Sequence, residues 1–115
     1  LYHTFSQKNQ AHFIENKILT VNILGAQHEQ ISNVFASKLN SEERFKHASW
    51  TTLETGAPVL ADALVSFDCE IEQIQDVGTH SIFICRVVAI KQSQQNESLV
   101  YFNRAYHHVG EVEVA

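Results

Sequence analysis

The stretch from Ala63 to Gln92 constrains the fold of this chain more than any other part of the sequence. In its first half every second residue is apolar, and these residues are Val65, Phe67, Cys69 and Ile71. A period of two is typical of a half-buried β-strand, because successive side chains point to opposite faces. The turn residues Gln75-Asp76-Val77-Gly78 follow, and the chain returns as a nearly continuous apolar run from His80 to Ile90. The pattern predicts an antiparallel hairpin whose return strand is covered on both faces.

Length and charge limit the class of protein. The 115 residues predict one domain, residues 1–115, with a core of its own. No apolar run approaches the roughly 20 residues that a bilayer requires, so we expect no membrane partner. Thirteen acidic against eight basic residues give a net charge of −5. A chain that neutralises nucleic-acid phosphates is normally basic, and we therefore expect no nucleic-acid partner.

The cysteines and histidines suggest no metal chemistry. Cys69 and Cys85 both lie in apolar strand segments. Two buried free thiols in a cytoplasmic protein are the preferred interpretation, and a cross-strand pair remains open. The seven histidines are scattered, and the adjacent His107 and His108 would point in opposite directions on a strand. Because zinc sites need three or four converging ligands, we predict no metal site.

The remaining segments predict further strands and two short helices. Period-two or β-branched segments predict strands at 1–5, 18–24 and 98–102. A helix is expected from Gln7 to about Asn16, with Ser6 as its N-cap. A second, amphipathic helix is expected from Gln27 to Leu39, where the apolar positions follow the helical period. The resulting class is mainly β or α+β, an antiparallel barrel with two short helices.

The segment 40–58 follows neither period. Asn40 to Phe45 resembles a single helical turn, and Trp50 is expected to anchor a long loop. Thr55-Gly56-Ala57-Pro58 then interrupts regular structure before the hairpin. We therefore predict an irregular connection between the second helix and the hairpin.

One local segment could bind an anion. Ser6-Gln7-Lys8-Asn9 begins the first predicted helix, where unpaired N–H groups and a lysine offer positive charge. A phosphate site and an ordinary solvated helix end both remain open. Elsewhere there is no Gly-x-Ser-x-Gly, P-loop or Gly-x-Gly-x-x-Gly motif. Neither cysteine lies in the positively charged setting that activates a thiol.

Six short segments follow one another over nearly the whole chain. They are Leu19–Leu24, Phe35-Ala36, Glu43-Arg44-Phe45, Thr55–Leu60, Gly78-Thr79-His80, and Tyr101–Arg104 with Tyr106-His107. In this order they resemble the flavin reductase family. Its members are FMN-binding split barrels that supply reduced flavin to two-component monooxygenases. The resemblance implies a split-barrel fold and a homodimer.

The resemblance also implies a set of site residues. Gln7, Lys8 and Asn9 fall where the family usually has Ser-Arg-Thr, which helps to hold the flavin phosphate, and Lys8 keeps the charge. His80 matches the histidine of the family's Gly-Asp-His turn, near the flavin and the nicotinamide, with Thr79 in place of the acid. Apart from the resemblance, His80 reads as a turn histidine satisfied by the backbone. His107 matches a basic or histidine position after the last strand and is expected to contact the cofactor.

The implied function is an NAD(P)H:flavin oxidoreductase that supplies reduced FMN or FAD to a monooxygenase component. NADH or NADPH would be the co-substrate. Family members begin with strands that carry a Gly-x-Thr-Ala-type segment, which this sequence lacks, and we expect a domain truncated at its N-terminus. Two alternatives remain: a flavin- or haem-binding split-barrel protein without turnover, and a structural dimerisation domain.

Overall fold

The computed structural model describes residues 15–110. This part contains seven strands: β1 Ile18–Ile23, β2 Trp50–Thr51, β3 Val59–Leu60, β4 Val65–Val77, β5 His80–Gln92, β6 Ser98–Phe102 and β7 Ala105–Val109. It also contains a 3-10 helix, Ala26–His28, and two short α-helices, α1 Glu29–Ala36 and α2 Ser41–Phe45. The strands pair antiparallel throughout. None of the helices in this part has the length and apolar character needed to cross a bilayer.

The largest sheet has the order β1-β4-β5, with β4 in the centre. Thr20 lies opposite Asp68, and Asn22 lies opposite Ser66, so these polar residues share one face. The other face is apolar and includes the row Leu19, Cys69 and Val87. The sheet therefore has a polar face and an apolar face.

The predicted hairpin exists, but its burial was assigned to the wrong strand. The return strand β5 is not covered on both faces, and Val87 and Ile90 on its apolar face are 46% and 61% exposed. Within residues 15–110, β5 is an edge strand with β4 as its only sheet neighbour. Burial in the hairpin falls instead on the first half of the central strand β4, up to Ile71, whereas the second half of β4 is mostly exposed. The apolar run from His80 to Ile90 is compatible with a buried strand. Within residues 15–110, however, no other element covers both faces of β5.

The hairpin turn is shorter than predicted. Strand β4 continues through Asp76 to Val77, which lies opposite His80. Only Gly78 and Thr79 connect the strands, and Gly78 has a φ of 61°, a left-handed conformation that glycine adopts without a Cβ penalty. The predicted turn at residues 75–78 was therefore about two residues too early.

Buried apolar residues lie on both faces of the sheet, with Cys69 and Ile71 on the apolar face and β3 against the polar face. Val59 and Leu60 of β3 are the most buried apolar residues, at 0% and 1% exposure. Trp50 packs against Phe35 and Phe45, with ring centroids 5.7 and 4.7 Å away, and its Nε1 donates to the Phe45 carbonyl at 2.9 Å. The prediction that Trp50 anchors the loop is confirmed. The short β2–β3 ladder in this loop was not predicted.

The helices differ from the prediction at their ends. The predicted helix 27–39 begins with the 3-10 turn and ends at Ala36, where the Ser37 hydroxyl donates to the Val34 carbonyl. Helix α2 is capped by Asn40, whose side chain accepts from the Glu43 N–H at 2.9 Å. Of the first predicted helix, Glu15 and Asn16 are helical. The rest of that helix and the predicted strand 1–5 lie outside the described residues.

The β6–β7 hairpin docks on helix α1. The Tyr106 hydroxyl is 2.8 Å from Ser32 Oγ and 2.9 Å from Asn33 Oδ1. His108 Nε2 is 3.3 Å from Glu29 Oε2. The Leu99 N–H donates to the Leu24 carbonyl at 3.0 Å, which connects the hairpin to the end of β1.

Candidate functional site

His80 lies at the far end of the long β4–β5 hairpin. It is the first residue of β5, directly after the two-residue turn, and its side chain is half-buried. The Thr79 hydroxyl is 3.1 Å from His80 Nδ1. The strand ladder fixes the backbone of His80, and the Thr79 hydroxyl orients the ring. The position agrees with the turn expected from the resemblance, and the role of His80 stays a prediction.

His107 lies in β7, in a different sheet from His80. Its Nε2 is 3.0 Å from the Phe102 carbonyl oxygen, and the two rings are 6.1 Å apart between centroids. A carbonyl only accepts, so Nε2 must carry the proton of this hydrogen bond. Nδ1 is then the ring atom that can accept or donate toward a ligand. His107 and His108 bond in different directions, as expected for neighbours on a strand.

The predicted phosphate-binding residues Gln7, Lys8 and Asn9 lie outside the described residues. Their placement relative to His80 and His107 therefore stays a prediction. Cys69 and Cys85 are free thiols. Burial raises the pKa of both, and the neighbouring Cys85 and Asp68 add to the increase at Cys69. Neither thiol is activated for nucleophilic attack.

A buried carboxylate that the sequence analysis did not select organises the loop before β3. Asp68 is 0% exposed. Its Oδ2 accepts from the backbone N–H groups of Glu54 and Thr55, both at 2.8 Å. Its Oδ1 accepts from the Thr55 hydroxyl at 2.5 Å and from the Thr20 hydroxyl at 3.5 Å. The Asp68 carboxylate thus fixes the start of the Glu54–Pro58 loop.

These hydrogen bonds keep Asp68 ionised despite its burial. Burial raises the pKa of the carboxyl group, but the bonds from the Thr55 hydroxyl, from the Thr55 and Glu54 N–H groups and from Thr20 together lower it further. The net pKa lies below the ordinary value for Asp. Asp68 is therefore a charged structural acceptor at neutral pH and not a proton donor.

Asn22 holds the other end of the same loop. Its Oδ1 accepts from the Leu60 N–H at 3.0 Å and from the Ser66 hydroxyl at 2.8 Å. Its Nδ2 is 3.4 Å from the Pro58 carbonyl. Because Asn22 and Asp68 project from the same face of the sheet, the two side chains together fix the loop at both ends. Gly56, between them, has a φ of 88° and open space around it.

The sequence pattern of β4 is compatible with this loop packing, but it does not identify it. The period of two in β4 places Ser66 and Asp68 on the face opposite the apolar residues, and such a face is usually solvated. Only the polar loop folding over this face buries them. Thr55-Gly56-Ala57-Pro58 marked a loop, but nothing in its sequence identified the strand that it contacts.

Among residues 15–110, no three His, Cys, Asp or Glu side chains converge as metal ligands would. The groups that can serve a ligand are the His80 ring at the hairpin end and the exposed His107 with its aromatic neighbours. Such groups can position a substrate or a cofactor, and a bound cofactor would have to supply the reaction itself.

Comparison with known proteins identifies the family. Residues 6–110 match the family described as the flavin reductase like domain. The chain belongs to this family. Among curated relatives, the FMN reductase (NADH) RutF of Bradyrhizobium diazoefficiens is 48% identical over 100 residues, which cover 87% of this chain and 56% of the relative. The chain therefore spans about half the length of the relative.

Solved structures agree with the family and with the fold. A crystal structure from Haemophilus somnus, assigned as a flavin reductase, is 51% identical with a TM-score of 0.90, covering 95% of this chain and 70% of that one. Flavin reductase HpaC, solved with NADP+, is 27% identical with a TM-score of 0.77, covering 94% and 76%. The mostly antiparallel sheet with two short helices matches these flavin reductases, and the predicted split-barrel class is confirmed.

Proposed function

We propose that the protein containing this chain is an NAD(P)H:flavin oxidoreductase. The observation that carries the proposal is membership of the flavin reductase like family over residues 6–110. The high identity to an FMN reductase (NADH) favours FMN as the flavin and NADH as the co-substrate. NADPH remains within the proposal, since HpaC was solved with NADP+, and FAD remains as the alternative flavin.

The described residues fit a protein that positions cofactors. Hydride transfer from nicotinamide to flavin is chemistry that the two cofactors supply when they are bound. The chain then needs to bind them and align their rings, which requires no nucleophile. In our proposal His80 positions the nicotinamide at the hairpin end, Lys8 with Gln7 and Asn9 holds the flavin phosphate, and His107 contacts a cofactor from β7.

We further propose a homodimer that delivers reduced flavin to a monooxygenase component in the cytoplasm. The exposed apolar side chains of β5, Ile84, Val87 and Ile90 at 42%, 46% and 61%, support a partner surface, because monomers rarely expose continuous apolar strands. The free thiols Cys69 and Cys85 suit a reducing compartment. A stable monomer at micromolar concentration in light scattering would contradict the homodimer.

The assignment of His80 is tested by His80→Ala in the full-length protein. Loss of the imidazole should leave flavin binding nearly normal but slow the reduction of bound flavin about ten- to a hundredfold, because misaligned rings react slowly. Anaerobic stopped-flow absorbance measures the rate as a function of NADH concentration. His47→Ala, an exposed histidine in the loop after α2, is the matched control and should react at the wild-type rate.

Three results would change the assignment of His80 or of the function. If His80→Ala binds flavin fully and is reduced at the wild-type rate, His80 is a turn histidine and the nicotinamide contact moves to His107. If the wild-type protein binds flavin but oxidises neither NADH nor NADPH, the protein is a flavin-binding module. Absence of any flavin binding would favour a structural dimerisation domain.

A further inference from the structure

A buried histidine joins two segments of the chain near the end of strand β1. His28 is the last residue of the 3-10 helix and is 3% exposed. Its Nδ1 accepts a hydrogen bond from the Gly25 N–H at 2.9 Å. Its Nε2 lies 3.1 Å from Oδ1 of Asp62, in the turn between β3 and β4. The proposed flavin chemistry does not use this ring.

The contacts of His28 determine its protonation state. A backbone N–H only donates, so Nδ1 must be the unprotonated nitrogen, and Nε2 carries the single ring proton. The arrangement is that of a capping box, in which the third residue of a helix accepts from the N–H of the N-cap residue, here Gly25. Glu or Gln usually fills that third position. Unlike either of these, histidine as a residue type changes its charge just below neutral pH.

A second proton on the ring would disrupt this arrangement. It would have to bind Nδ1, where the new N–H would point at the Gly25 N–H and the hydrogen bond would be lost. It would also place a positive charge on a buried ring. The Asp62 carboxylate offsets only part of these costs, because it already lies beside the Nε2 proton and its side chain is 63% exposed to water. The closed arrangement therefore requires the neutral ring.

The other charged groups around His28 do not stabilise a second proton. Lys91 Nζ donates to a backbone carbonyl of the β3–β4 turn at 2.8 Å, which adds positive charge beside the ring. Glu29 follows His28 in sequence, but its carboxylate lies 3.3 Å from His108 Nε2 on β7. Glu97, just before β6, contributes its backbone carbonyl, which accepts from the 3-10 helix at 3.2 Å.

The same junction holds the β6–β7 hairpin. Gly25 forms an isolated antiparallel bridge with Ser98, the first residue of β6. The next residue, Ala26, donates its N–H to the Glu97 carbonyl at 3.2 Å. Both contacts lie within one residue of the N–H that His28 accepts. Loss of that hydrogen bond would therefore loosen the attachment of the hairpin to the end of β1.

We propose that His28 is an acid-sensitive latch that holds the 3-10 helix and the base of the β6–β7 hairpin together. Histidine in an unfolded chain takes up its proton near about pH 6.5. Above this pH the neutral ring holds Gly25 and the junction is closed. Below it, the proton binds only when the junction opens, so acid favours the open form, and the stabilisation is lost as the pH falls. If the closed junction takes up no proton at His28, opening becomes about tenfold more favourable between about pH 7.5 and about pH 5.5.

The test is hydrogen exchange of the Gly25 amide in the full-length protein, measured by NMR. The result is expressed as a protection factor, which removes the intrinsic pH dependence of exchange. Gly25 should lose protection about tenfold from about pH 7.5 to about pH 5.5. The Leu99 N–H, which donates to the Leu24 carbonyl, should lose protection with it. The Ile71 N–H donates to the Lys17 carbonyl at the opposite end of β1 and should keep its protection.

His28→Gln separates the latch from other effects of acid. Gln is a usual residue at this position of a capping box and can accept from the Gly25 N–H, but it has no titratable ring. In this variant the protection of Gly25 should be the same at both pH values. His108→Gln is the matched control, because it removes another histidine of the same junction. Its acid loss should be at least as large as in the wild type, since protonated His108 would attract Glu29 more strongly.

Three results would overturn the proposal. The first is equal protection of the wild-type Gly25 amide at both pH values. The second is an equal acid loss in the wild type and in His28→Gln, which would mean that another group titrates. The third needs no variant, and so applies even if His28→Gln does not fold. The nitrogen chemical shifts of the His28 ring report its protonation directly, and a doubly protonated ring in a junction that is still protected would contradict the latch.

Discussion

The replacement of Asp68 by Asn tests the central structural claim, that a buried charge fixes the Glu54–Pro58 loop. The side chain of Asn has nearly the same size, so the substitution changes charge and hydrogen bonding while it leaves packing intact. In the more favourable orientation its amide oxygen replaces Oδ2 and still accepts from Glu54 and Thr55. The NH2 group then faces the hydroxyls of Thr20 and Thr55, which donate to Asp68 in the wild type.

The expected loss follows from these contacts. A hydrogen bond to a charged acceptor contributes about 1 kcal/mol more than one to a neutral acceptor. Two such bonds come from backbone N–H groups, and the Thr55 hydroxyl hydrogen loses its acceptor. Relief from burying a charge offsets part of the loss, but the lowered pKa of Asp68 shows that the hydrogen bonds outweigh burial. We therefore expect Asp68→Asn to lower the free energy of unfolding by about 2–3 kcal/mol.

The assay is urea unfolding of the full-length protein, followed by the fluorescence of Trp50, the one tryptophan of the chain. Asp76→Asn is the matched control, because Asp76 lies on the same strand but is exposed and accepts from the Ser81 hydroxyl. It should change stability by no more than about 0.5 kcal/mol. A loss for Asp68→Asn no larger than that of the control would refute the reasoning.

The pH dependence of stability distinguishes the loss of the Asp68 charge from a disturbance of packing. A carboxylate whose pKa is lower in the folded than in the unfolded state stabilises the fold above the unfolded value, near pH 4, and this stabilisation is lost as the pH falls through the lower folded value. The difference between wild type and Asp68→Asn should therefore be constant from about pH 7 to about pH 5 and shrink below about pH 4. An equal difference at low and neutral pH would mean that the amide disturbs packing instead.

Three further predictions concern other parts of the chain. Lys8→Ala should weaken FMN binding by about 1–3 kcal/mol and leave riboflavin, which lacks a phosphate, nearly unaffected; equal losses in fluorescence titrations would show that Lys8 supports the fold. Leu60→Ala, at a position that is 1% exposed, should cost about 2–5 kcal/mol in chemical unfolding, and a loss under 1 kcal/mol would contradict the described core. Gly78→Ala should cost about 1 kcal/mol, because the φ of 61° strains any residue with a Cβ, and an unchanged midpoint would contradict the turn geometry.

Local patterns in the sequence were sufficient for most of the secondary structure. The strand Ser98–Phe102 was predicted with its exact bounds, and the strand at Ile18 was one residue too long. Periodicity determines which residues alternate, and that property is local. It does not determine which neighbours a strand acquires. The predicted burial of β5 on both faces was therefore wrong, although its apolar character was correctly identified.

The candidate site was predictable where a motif was continuous in sequence. The Gly78-Thr79-His80 turn placed His80 at the start of a strand, as the structure confirms. Asp68 was missed because its partners, Glu54 and Thr55, lie 14 and 13 residues away. A polar residue on an alternating strand has the same local pattern whether it faces water or a polar loop.

The buried Asp68 carboxylate gives one conformation to the loop that covers the polar face of the β1-β4-β5 sheet. A well-packed apolar pair in place of Asp68 and Thr55 would often be at least as stable as a buried charge with its donors. What the carboxylate adds is a single arrangement of the donors around it, and hence one conformation of the loop. Asp68 is as fully buried as Val59 and Leu60. Asp68→Asn should therefore change how the loop is held in addition to lowering stability, whereas Leu60→Ala should change stability alone.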